Sequence, residues 1–138
     1  MDEYGFSEET RDWLGGWLSG GKEITDLPYI VIKETKNYIN IDNNGQLLLY
    51  KALTTNDILN DDIISFAGPS SWTHDLDMAY NFKSENLPIV STTIGNSNIL
   101  IDTVELDQNY ICRKLGGFPK EHEVILLPGA YRVKVVEE

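Results

Sequence analysis

Hydrophobic spacing changes character partway along the chain. Ser7 followed by Glu8 and Glu9 reads as a helix cap with first-turn acids. Trp13, Leu14, Trp17 and Leu18 then recur at helical spacing and predict a first helix. Gly15-Gly16 weakens it and Gly20-Gly21 ends it. Pro28 suits the first position of a second helix carrying Ile30, Val31, Glu34, Thr35 and Tyr38 at mixed spacing. Asn43-Asn44-Gly45 marks a turn. After it, strand-like runs dominate: residues 46–53, 63–67, 89–94, 99–106, 123–127 and 131–136. Thr55-Asn56-Asp57 could cap one helical turn, Gly68-Pro69 breaks the second strand, and a short helix beginning at Thr73 or His74 carries Leu76, Ala79, Tyr80 and Phe82.

Helices first and strands later predict an α+β fold with an antiparallel or mixed sheet. The 138 residues suit one domain, with a helical part over 1–42 and a β-rich core over 43–138. Tyr4, Trp13 and Trp17 are expected to pack the first helix onto that core; the alternative is a partner surface.

Charge narrows the function classes. There are 22 acidic against 11 basic residues, a formal net charge of −11. Such a field disfavours nucleic-acid backbones and anionic membranes and favours a basic protein partner. The single cysteine, Cys112, excludes an intramolecular disulfide. Beside Arg113 and Lys114 it reads as a partly buried structural thiol, with a reactive thiol as the alternative. Two histidines and one cysteine show no zinc-ligand spacing, so no metal is expected. The first seven residues carry acids and no apolar core, and apolar runs are short, so no signal peptide or membrane span is expected and the default compartment is cytoplasmic.

Three segments could carry chemistry. In Leu49-Tyr50-Lys51-Ala52-Leu53, a lysine interrupts an apolar strand; it either snorkels to water or meets an anion. In Ser70-Ser71-Trp72-Thr73, alternation puts the Ser71 and Thr73 hydroxyls on one face, unless they only cap the helix at Asp75. In Glu121-His122-Glu123, strand geometry would point both carboxylates to one face and His122 to the other. Paired carboxylates repel, which suits acid–base work; a solvated strand entrance is the plainer reading. Phe118 stands three residues earlier in a loop opened by Gly116-Gly117.

Taken in this order, the three segments resemble the mono-ADP-ribosyltransferases of the arginine–serine–glutamate class. That family has an aromatic-Arg-Gly-like strand, a Ser-Thr-Ser-like motif followed by Ala and Phe, and a late Glu-X-Glu strand. Ala79 and Phe82 match the spacing after Ser71-Trp72-Thr73, and Glu121 to Gly129 matches the last strand most specifically. The resemblance covers roughly residues 46–137, and the helices before it resemble the family's helical cap.

The resemblance implies roles. Glu123 would be the catalytic glutamate on the nicotinamide-ribose 2′-hydroxyl, and Glu121 would orient or deprotonate an arginine acceptor. Ser71 would hold that ribose and support Glu123, and Thr73 would stand for the motif's last residue. The Ala52 backbone would hold the nicotinamide amide, where the family usually has glycine. Phe118 would touch the protein substrate. Lys51 stands where the family has arginine, keeping the charge without the planar fork. The implied activity moves ADP-ribose from NAD, as co-substrate, to a protein side chain, most often arginine. The alternatives are an NAD glycohydrolase and a non-catalytic NAD- or protein-binding module on the same fold. Small size and acidic charge resemble phage-type transferases acting on host proteins, so the expected partners are NAD and a host protein acceptor, and the expected state is a monomer.

Overall fold

The computed structural model describes residues 2–20, 26–39, 45–55, 57–84, 86–117 and 122–136. The first helix, α1 (Glu8–Leu18), starts at Ser7, whose hydroxyl accepts from the Thr10 N–H at 3.3 Å. Glu34 takes both the N–H and the hydroxyl of Ser7 at 2.8 Å, tying this helix start to α2 (Tyr29–Glu34). The Thr10 hydroxyl and then the Ser7 N–H hold the Glu34 carboxyl below its ordinary value. Pro28 caps α2 rather than occupying its first turn. Gly15, expected to weaken α1, instead permits a close approach: a Cβ there would stand 2.9 Å from the Leu115 carbonyl oxygen.

Among the described residues nine strands follow, paired antiparallel in two sheets. The larger runs β6–β7–β4–β1–β5–β9, where β1 is Gln46–Ala52, β4 Ser70–Thr73, β5 Ile89–Gly95, β6 Ile99–Asp102, β7 Glu123–Leu126 and β9 Lys134–Val135. The smaller holds β2 (Leu59–Asn60), β3 (Ile63–Phe66) and β8 (Gly129–Arg132). Alternation sorts the large sheet's side chains into two cores. Leu47, Leu49, Trp72, Val124 and Leu126 face the small sheet and pack with Ile64 and Tyr131. Ile125 and Ile101 face α1 and α2, together with Leu14, Trp17, Leu18 and Val31. Tyr131 is buried, its hydroxyl bonds the Leu127 carbonyl, and burial pushes that phenol up to about 12.

The expected α+β class and antiparallel sheet are present; several details differ. Residues 99–106 are not one strand, because Asp102 ends β6: its carboxylate accepts from the Val104 N–H at 3.0 Å and turns the chain into a 3₁₀ turn, Thr103–Glu105. Residues 131–136 divide between the two sheets at Val133, whose N–H bonds the Asp62 carbonyl at 2.8 Å. The short helix α3 (Leu76–Asn81) is capped by Asp75, two residues after Thr73. Near Thr55, Asp57 accepts from the Thr54 N–H and hydroxyl to close a turn in place of a helical cap. An unexpected helix, α4 (Gln108–Tyr110), continues as a wider π-type winding over Ile111–Leu115. Cys112 lies on the outer side of that winding and is exposed, which corrects the expectation of a partly buried thiol. Among the described residues, no helix is long and apolar enough to cross a membrane.

At the amino end, Asp2 gathers the Tyr4 and Phe6 N–H groups and the Tyr110 hydroxyl. Desolvation acts against its charge, yet these donors and Arg11 outweigh it and leave the carboxyl lowered. A lowered carboxyl stabilises the fold above the unfolded-state value and loses that contribution as pH falls through the folded value. Asp2→Ala is therefore expected to cost about 1–3 kcal/mol in urea unfolding at pH 7. The difference from the parent should shrink below about pH 3.8. An equal difference at pH 7 and pH 3 would contradict this role.

Candidate functional site

The register of the central strands brings four of the sequence-identified residues together. Thr73 of β4 is the Cα partner of Glu123 in β7, and Ser71 is the partner of Ile125. Tyr50 of β1 is the partner of Thr73. Directly paired residues share a face, and alternate residues along each strand join them. Tyr50, Ala52, Ser71, Thr73 and Glu123 therefore lie on one face of three adjacent strands, the face on which α1 packs further along β7. Ser71 and Ala52 are half-buried, while Thr73 is buried.

Glu123 is not the solvated strand entrance that its sequence context suggested: it is 3% exposed. A buried carboxylate needs hydrogen-bond donors to offset lost hydration. The Trp17 indole N–H supplies one, 2.6 Å from Oε2. The backbone is held too, since the Thr103 hydroxyl donates to the Glu123 carbonyl at 2.7 Å. Just before the strand, His122 adopts the left-handed conformation with φ of 49°. Extended alternation thus stops at Glu123 and does not carry back through His122. Glu121 and Phe118 lie outside the described residues.

Lys51 is placed elsewhere. By alternation it shares the face of Leu49, turned toward the small sheet and away from Glu123. Its Nζ donates to the Ser71 carbonyl at 3.1 Å and lies 5.6 Å from the centre of the Phe66 ring. Among its contacts the lysine thus has a carbonyl and an aromatic face. Thr73 combines both readings made of it: it lies on the Glu123 face, and its hydroxyl accepts the Asp75 N–H at 3.1 Å.

Sequence reasoning passed over three neighbours. Trp17 was read as packing, with a partner surface as the alternative, though a buried indole N–H calls for an acceptor. His74 Nε2 lies 2.7 Å from Oδ2 of fully buried Asp102, at the end of β4, and the His74 N–H extends the β4–β7 ladder to the His122 carbonyl. An open cavity of about 370 Å³, lined by Tyr80, Lys83, Pro88, Ile89 and Val136 among others, borders the Ala52 end of β1. Ile89 is the Cα partner of Ala52. Among the described residues, no group of three or more His, Cys, Asp or Glu side chains is arranged to hold a metal ion.

No family model, curated protein or solved structure matches the chain.

The short indole–carboxylate bond has a direct signature. The Trp17 indole proton is expected downfield of the other two indole protons and slow to exchange with solvent. Glu123→Ala should move it sharply, whereas Lys51→Met, on the other face, should leave it in place. An unmoved indole resonance in Glu123→Ala would contradict the contact.

Proposed function

We propose that this chain is a mono-ADP-ribosyltransferase that uses NAD as co-substrate and modifies a protein side chain, most often arginine. The observation that carries the reading is the grouping of Ala52, Ser71, Thr73 and Glu123 on one sheet face, which joins two of the three segments of the family resemblance to part of the first. In this reading the bond between nicotinamide nitrogen and ribose C1′ breaks, and nicotinamide departs with the bonding electrons. The ribose passes through an oxocarbenium-like state, as in glycoside cleavage. Glu123 stabilises that charge and bonds the ribose 2′-hydroxyl in a site screened from water. Ser71 holds the same ribose, with Thr73 beside it. The Ala52 backbone takes the nicotinamide amide. The acceptor guanidinium nitrogen bonds C1′ and loses a proton, and Glu121 orients it and receives that proton. Phe118 contacts the acceptor protein.

Lys51 has a narrower role here than the family's arginine. It faces away from Glu123 and acts on the site through the Ser71 backbone. The cavity beyond Ala52, with Lys83 on its wall, is where the rest of the dinucleotide would extend.

One observation favours a second reading, a non-catalytic module on the same fold: Glu123 is almost fully covered and bonded to Trp17. Label transfer from tagged NAD into a bacterial lysate separates the two. The transferase reading expects labelled protein bands that fall by about 10²- to 10³-fold in Glu123→Ala, the loss typical of removing a group aimed at transition-state charge. Glu121→Ala should spare nicotinamide release more than protein labelling. Binding of NAD with neither label nor nicotinamide released would favour the module, and nicotinamide release without any labelled acceptor would favour a glycohydrolase.

A further inference from the structure

We infer that Trp17 is a positioning residue for Glu123: the helical layer reaches into the sheet through one indole N–H and sets the direction of the carboxylate. The inference rests on the transferase reading for its consequence, and on geometry for its substance.

A glutamate has three side-chain torsions, and Glu123 stands at the very start of its strand. The residue before it is in a left-handed turn, so no extended backbone upstream fixes its direction. What does fix it lies on both sides. The Thr103 hydroxyl holds its carbonyl, and Trp17 Nε1 holds Oε2 at 2.6 Å. A buried N–H and a buried carboxyl oxygen are each costly to leave unpaired, and the bond between them is stronger away from water.

The donor is itself immobilised. Trp17 is 1% exposed and stacks on Trp13, with ring centres 5.5 Å apart and planes 11° from parallel. The Trp13 indole N–H is anchored in turn on the Asp26 carbonyl at 2.8 Å. Gly15 lets α1 sit directly against the Leu115 carbonyl, and a Cβ on Gly117 would stand 2.8 Å from Leu18. The helix carrying the donor is thus clamped to the segment that leads toward Glu121. A donor held this firmly acts as a preorganised support rather than an adaptable contact.

Trp17→Phe keeps an aromatic ring in the core and removes the N–H. Nicotinamide release is expected to fall about 10- to 100-fold in kcat, the usual effect of losing an outer partner of a reacting group, with KM for NAD little changed. Replacing Trp17 with benzothienylalanine, which keeps the fused ring but puts sulfur in place of N–H, should reproduce the loss. Leu14→Val trims the same core by one methylene and keeps the Trp17–Glu123 bond, and should lower Tm while leaving kcat intact. In a Glu123→Gln background, Trp17→Phe should add nothing further. Folded Trp17→Phe with unchanged kcat overturns the inference and leaves the transferase reading standing. Full release by Glu123→Gln overturns the transferase reading, and with it any catalytic meaning for Trp17; no release by the unmodified chain overturns both.

Discussion

A single indole N–H joins residues 106 positions apart and ties the helical layer to the middle of the sheet. On one side stands α1, whose apolar stripe packs into the core shared with Ile125 and Ile101. On the other stands β7, flanked by β4 and β6. A polar group buried at that junction is costly unless it is paired, so the position of α1 and the burial of the Glu123 side chain are mutually dependent. The close approach at Gly15, the Trp13–Trp17 stack and the Ser7–Glu34 tie all serve to hold that helix in the place from which Trp17 can donate.

The same strand geometry divides the chemistry by face. Antiparallel pairing of β1, β4 and β7 puts hydroxyls and a carboxylate toward the helices. It puts Trp72, Val124 and Lys51 toward the small sheet, where Trp72 meets Phe66 and Tyr131 edge to face. That second core is closed by the Tyr131 hydroxyl on the Leu127 carbonyl, immediately after β7. Glu123 therefore sits on a strand packed on both faces, which restricts its movement.

Much of this fold was legible in the sequence. The helical spacing of Trp13, Leu14, Trp17 and Leu18 and the apolar runs of β1, β3, β5 and β7 report burial directly, and burial is what those patterns measure. The misread segments share one cause: a polar side chain or a long-range backbone bond overrides the local pattern. Asp102 ends a run of apolar residues by capping the next turn, and Val133 is drawn to Asp62, so one apparent strand serves two sheets. Cys112 follows the buried Tyr110 and Ile111 but lies on the outer side of a wide winding, beside the charged Arg113 and Lys114. That Ser71 and Thr73 share a face was legible because alternation within a strand fixes a face. The partnership of Glu123 with Trp17 was not, because nothing local records which buried acceptor an indole will find. Lys51 shows the limit of motif spacing: one residue along a strand reverses the face, and its ammonium reaches the Ser71 carbonyl and the Phe66 ring on the side away from Glu123.

The central claim is that the helix-side face of β1, β4 and β7 receives NAD. It is tested most directly by titrating NAD into isotope-labelled protein and mapping the shifted resonances. The account expects saturable shifts at the Ala52, Ser71 and Thr73 amides and at the Trp17 indole proton, continuing toward Ile89. Shifts confined to Lys51, Phe66 and the small-sheet face, or none at any NAD concentration, would contradict it.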